Sequence, residues 1–146
     1  MIKNYTSNTT NTFDKIQKVL AQHKARRMMF EYDSQGRVDA LSFSIELEGR
    51  EVGFKLPAKV KNVEQIFERE GVRLDEKGLQ QAYRTAWANI RDWLDAQMAL
   101  IDTEQVRFEE VFLPYAINRD GRTYFETIKD NQYLLGEPTK QKEGEK

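Results

Sequence analysis

Three consecutive segments between Arg26 and Pro57 alternate apolar and polar residues with a period of two. Met28, Phe30 and Tyr32 alternate with Met29, Glu31 and Asp33; Leu41, Phe43, Ile45 and Leu47 alternate with Ser42, Ser44, Glu46 and Glu48; Val52, Phe54 and Leu56 alternate with Glu51, Gly53 and Lys55. Successive side chains of a strand point to opposite faces, so each segment reads as a strand with one apolar side. The connections "DSQGR" and "LEGRE" are short and carry Gly36 and Gly49. Short turns join antiparallel neighbours, and the three strands therefore make a meander. A one-sided sheet is unstable in water until its apolar face is covered. The remaining chain has to supply the cover.

Helical spacing supplies it. Phe13, Ile16, Leu20 and His23 recur on one side of a segment that Thr12 is placed to cap. Val60, Val63, Ile66 and Phe67 mark a second helix, ended at Gly71. Asp75 is the expected N-cap of a third, running from about Glu76 to Ile101 and roughly 40 Å long at ~1.5 Å per residue. Its stripe holds Leu79, Ala82, Tyr83, Ala86, Trp87, Ile90, Trp93, Leu94, Met98 and Ile101, including both tryptophans of the chain. Such a stripe packs inside, against the sheet. Phe108, Val111 and Phe112 predict a short helix ended by Pro114. "TYFE" is a capping-box pattern that opens another, through about Lys129. The expected fold is α+β: a three-stranded antiparallel β-meander with one face packed by helices, including one long helix in the C-terminal half. At 146 residues the chain reads as one domain over residues 12–131, with a flexible N-terminus at 1–11 and a flexible charged tail at 132–146.

Several chemistries are excluded. There is no cysteine and a single histidine, His23, so thiolate chemistry and histidine-rich metal sites are absent. No G-x-S-x-G elbow, Walker loop or G-x-G-x-x-G occurs. Glu109 and Glu110 are adjacent and would point about 100° apart on a helix, a poor acid–base pair. "NRDGRTYFE" lacks the regular oxygen ligands of a calcium loop. We expect no enzyme activity, cofactor or metal. No apolar run approaches the ~20 residues of a membrane span, and the polar N-terminal residues resemble neither a secretory signal nor a transit peptide. A cytoplasmic protein without membrane contact is the expectation.

Charge is nearly balanced, with 23 Lys and Arg against 24 Asp and Glu, but it is unevenly spread. The segment "KIQKVLAQHKARR" holds five Lys or Arg and no acid, and Lys55, Lys59 and Lys61 form a second cluster. Lys24, Arg26, Arg27, Lys55, Lys59 and Lys61 are candidate contacts to single-stranded nucleic acid or to a protein partner. Arg84 and Arg91, seven residues apart on one line of the long helix, extend the set. Asp95, four residues after Arg91, offers that arginine an ion pair instead. Against nucleic acid, the outward sheet face carries Glu31, Asp33, Glu46, Glu48 and Glu51. The alternative is a protein-binding module that uses this face or the segment with Phe112 and Tyr115. The wide stripe of the long helix also leaves room for a homodimer contact.

The segments "QAYRTAWANIRDWLDAQMALI" and "EEVFLPYAINRDGRTYFE" are more distinctive. They resemble a group of small proteins encoded by bacterial phages, prophages and other mobile elements. That group shares a Q-A-x-R-x-A-W-R-x-x-x-D-W-x-x-A-Q-x-A-L-I helix, then E-x-F-L-P-Y, then a G-x-T-x-Y/F-E turn. "EYDSQGRVDALSFSI" and "FKLP" fit the same pattern, so the resemblance covers residues 13–127. Ala88 departs from it, standing where the pattern favours a basic residue, which weakens a nucleic-acid reading of that helix face. The resemblance implies a phage or mobile-element setting in a bacterial host cell and assigns no activity. In that setting we expect a non-enzymatic accessory binding protein associated with nucleic-acid metabolism. The alternative is a counter-defence or regulatory protein that binds and inhibits a host protein.

Overall fold

The computed structural model describes the backbone of residues 2–130 and the side chains of residues 9–130. The expected charged tail at 132–146 lies outside the described residues. The chain runs α1 (Ile2–Gln22), β1 (Arg27–Tyr32), β2 (Val38–Leu47), β3 (Arg50–Pro57), α2 (Val60–Arg69), α3 (Glu76–Asp102), α4 (Phe108–Phe112), a 3-10 turn (Leu113–Tyr115) and α5 (Tyr124–Asp130). The fold is α+β.

The sheet has the order β1-β2-β3, antiparallel throughout. Met28 lies opposite Phe43, which lies opposite Phe54; Phe30, Leu41 and Leu56 form the next row. These rows make the inner face. Glu48 (φ 51) and Gly49 (φ 81) form a two-residue hairpin loop with both residues left-handed, the geometry that matches strand twist. The first turn is held by Asp33, whose Oδ1 accepts from the N–H groups of Gln35 (2.8 Å) and Arg37 (2.9 Å). One expected inward side chain departs. The register shifts between Glu31 and Tyr32, so Tyr32 pairs with Val38 and Asp39 is an extra residue on β2. The bulge leaves Tyr32 64% exposed instead of packed inside.

Helices α1 and α3 run parallel over the inner side. Arg91 Nη1 donates to Thr12 Oγ1 (3.4 Å), Lys15 lies 3.7 Å from Asp95, and His23 Nε2 lies 2.9 Å from Asp102. The partners advance together along both helices. α1 starts at Ile2, not at Phe13, and Thr12 is a buried seam residue rather than a cap. Threonine is a weak helix former, so propensity alone predicts a late start. Burial of Thr9 and Thr12, at 1% and 8% exposure, overrides it. The start of α3 follows expectation, with Asp75 accepting from the Gly78 N–H at 3.0 Å.

The core is a chain of rings on an aliphatic bed. Phe13 contacts Phe30 and Trp87; Phe43 and Phe54 stack; Phe112 touches Phe43, Phe54 and Trp93. Trp87, Phe54, Phe112, Ile16, Leu20, Leu41 and Leu94 are fully buried. Trp87 is thus a core residue, as its spacing predicts, while Trp93 is only partly buried.

Two directional contacts fix α3 over the sheet. The Val38 N–H donates to Tyr83 Oη at 3.0 Å, and Trp87 Nε1 donates to the Val38 carbonyl at 3.1 Å. Residues four apart on one helix therefore hold both polar groups of one peptide residue at the start of the central strand. Nearby, the guanidinium of Arg37 is sunk beside two carboxylates, with Nε 2.9 Å from Asp33 and Nη1 3.0 Å from Glu64 of α2. Burial pushes the Asp33 carboxyl up, but the Arg37 N–H, its guanidinium and the Gln35 N–H outweigh burial and hold it below the usual range.

Tyr83→Phe and Trp87→Phe should each cost about 1–3 kcal/mol by leaving a buried Val38 group unpaired. Urea unfolding of the two single variants and the double variant should show that the effects are not additive. Because the folded Asp33 has a lowered pKa, its contribution to stability is complete above the unfolded value of about 3.9. It is lost as pH falls through the folded value. Asp33→Asn should therefore lower the unfolding midpoint at neutral pH and flatten its dependence on pH in the acid range.

Candidate functional site

The candidate cations do not share one surface. Lys24 sits exposed in the α1–β1 connection with a left-handed backbone (φ 69). Arg26 pairs with Glu46 at 3.1 Å, Arg27 with Glu51 at 3.1 Å, and Lys55 with Glu31 at 3.4 Å. These pairs lie across the outer sheet face, above the small residues Ser42 and Ser44 of β2. The face expected to be acidic is therefore charge-balanced. Arg91 bonds Asp92 (3.0 Å) and Thr12, while its expected partner Asp95 turns to Lys15. Arg84 is partly buried on α3 and makes no ion pair with a described residue. Both arginines belong to the helical layer, on the other side of the sheet from Arg26 and Arg27. Lys61 is exposed on α2.

Only Lys55 and Lys59 of the set line one cleft, of about 670 Å³. Arg122 and Lys129 join them from the α5 side, with Tyr115 and Phe125 as aromatic walls. Four cations face two carboxylates there, Glu126 and Asp130. A smaller apolar hollow of about 280 Å³ adjoins it. It shares Pro57, Lys59 and Tyr115, and it adds Ile90 and Trp93 of α3. Together the two hollows are lined by the rings of Trp93, Tyr115 and Phe125 and by the cations Lys55, Lys59, Arg122 and Lys129. Trp93 and Tyr115 are themselves in edge contact, with centroids 5.5 Å apart.

The groove's far wall runs from Arg122 to Asp130 and is tied to the sheet by the residues before it. Ala116 bridges to Phe54 at the free edge of β3, and the Ile117 N–H donates to the Gly53 carbonyl at 2.8 Å. The chain then reverses at Asn118–Arg122. Asn118 and Arg122 exchange two hydrogen bonds, of 2.8 and 3.0 Å, around Gly121 (φ 81). Thr123 and Glu126 form the capping box expected from "TYFE". The Thr123 N–H donates to Glu126 at 3.0 Å, and the Glu126 N–H donates to Thr123 Oγ1 at 3.2 Å. The bond from the Thr123 N–H, then that from its hydroxyl, keeps the Glu126 carboxyl below its usual range. Arg122 is held by Asp130. Lys59 and Lys129 make no ion pair among the described residues.

Lys59 is also the N-cap residue of α2, and it has a left-handed backbone at φ 51, ψ 48. That conformation costs a residue with a Cβ on the order of 1 kcal/mol, and no side-chain capping bond offsets it. Lys59 lines both hollows. The sequence cluster containing Lys59 pointed to this cleft; Arg122, Lys129 and Phe125 were missed. Their only local signal is the capping box, which sets a helix but not its neighbour. Phe112, read as a contact residue, is fully buried, whereas Leu113 beside it is 50% exposed.

A larger groove of about 830 Å³ lies at the β2–β3 hairpin. It is lined by Glu46, Glu48, Glu51 and Glu109 against Arg50, Arg107 and Arg119, so it lacks the excess of cations. Among the described residues no cluster of three His, Asp or Glu side chains is placed to hold a metal ion, and no helix is long and apolar enough to cross a membrane.

Lys59→Gly relieves the left-handed strain but frees the unfolded chain, two effects of similar size. We expect the unfolding free energy to stay within about 1 kcal/mol of the parent in urea titration. No family model, curated protein or solved structure matches the chain, so the reading of the groove rests on its own chemistry.

Proposed function

We propose that the protein is a non-enzymatic binding module of a phage or mobile element, and that the Trp93–Lys129 groove holds single-stranded nucleic acid. The supporting observation is that three aromatic side chains and four cations line two adjoining hollows, two of the cations making no ion pair among the described residues. Single strands are held by rings on which bases stack and by cations that follow the backbone. Duplexes offer no exposed base faces to such rings. The near-zero net charge limits long-range attraction, so binding is modest and local.

Fluorescence anisotropy with short single-stranded and duplex DNA and RNA tests this at low and moderate salt. Single strands should bind more tightly than duplexes, with a salt slope of about −0.7 per phosphate contacted. Lys59→Gly combined with Lys129→Ala should reduce the affinity at least tenfold. No binding at low salt would sink the proposal, since phosphate contacts are strongest there.

Docking on a host protein is the second reading. Its motive is the exposed apolar rim of Leu113, Tyr124 and Phe125, which are 50%, 44% and 43% exposed. A stoichiometric protein partner recovered from bacterial lysate after nuclease treatment would favour it.

A further inference from the structure

The two edges of the sheet are treated differently. Beyond β3, Ala116 and Ile117 add bonds to the strand. Beyond β1, no described residue pairs with the strand. An unpaired edge is a template for another strand, and β1 is six residues long. Met29, at its centre, is 60% exposed on the outer face. Met28 and Phe30 on the inner face are only partly covered.

We propose that the β1 edge pairs with the same edge of a second copy, antiparallel about a two-fold axis at Met29. The outer-face residues of β1 are Arg27, Met29 and Glu31 in sequence order. Directly opposed residues of an antiparallel pair point to the same face, so only registers that match parity continue both sheet faces. With Met29 opposite Met29 of the second copy, Arg27 meets Glu31 twice and Met28 meets Phe30 twice. The charges then complement one another, and the inner apolar rows join across the axis. Moving the register by two residues toward Tyr32 puts Met29 opposite Glu31 and leaves Arg27 without a strand partner. The charges that discourage a foreign strand are thus self-complementary in one register only. The bulge at Glu31–Tyr32 ends the pairing and keeps the contact short. An isologous contact of this kind closes at two copies.

Sedimentation equilibrium over a wide concentration range should show the mass rising from 17.2 kDa toward twice that value. Arg27→Glu and Glu31→Arg, taken singly, each place like charges opposite one another at two symmetric positions. Each should weaken the dimer about tenfold or more, and the double swap should restore it. Met29→Lys alters an exposed side chain and sets two ammonium groups at the axis, so it should abolish dimerisation while leaving the circular dichroism melt intact. A parent protein that stays monomeric at every concentration overturns the proposal. So does a dimer that survives Met29→Lys unchanged, or a double swap that does not recover.

Discussion

Everything in the molecule is referred to one peptide residue, Val38. An apolar stripe laid on an apolar sheet can slide and roll at little cost, because burial has no direction. Tyr83 and Trp87 remove that freedom. One accepts from the Val38 N–H and the other donates to its carbonyl, so α3 is fixed in position and in rotation over the central strand. The Arg37 cluster adjoins this clamp and ties α2 to the same turn through Glu64. Once α3 is placed, Trp93 falls beside Tyr115 and Phe112, and one wall of the groove is set.

The outer side of the sheet follows a different rule. Its central strand carries small residues, Ala40, Ser42 and Ser44, and long charged side chains from the flanking strands reach across them in oppositely charged pairs. Exposed pairs contribute little to stability. Their effect is to neutralise, so that this face attracts neither anions nor cations strongly. The excess of cations is displaced to the β3–α5 cleft, where Lys59 and Lys129 have no carboxylate partner among the described residues. A chain of near-zero net charge can hold a local basic groove only by such partition.

The meander was legible because period-two alternation with short turns admits one arrangement, and Phe43, Phe54 and Leu56 lie where it puts them. Trp87 was legible for the same reason on a helical period. Tyr32 was not, since a bulge on β2 is a pairing event between two strands and has no signature in β1. Thr9 and Thr12 were misread because local propensity opposed a helix that tertiary burial enforces. The charged residues were the least legible. Arg26 and Arg27 stand in a basic stretch, yet their partners Glu46 and Glu51 are set only by folded neighbourhood. The groove brings together Lys55 and Arg122 across a chain reversal that no periodicity encodes.

The parallel seam between α1 and α3 bears on the order in which the chain acquires its shape. Thr12 and Arg91 are 79 positions apart, as are His23 and Asp102. The hairpins, by contrast, close over a few residues. Contacts at short separation form first, and those that close a long loop form late. A threonine-rich segment is a marginal helix in isolation. The α1 segment therefore has no lasting structure to adopt until α3 is in place. Helix α1 is thus among the last elements to be fixed, and until then the inner face of the sheet beside Phe30, which Phe13 covers, stands open to water.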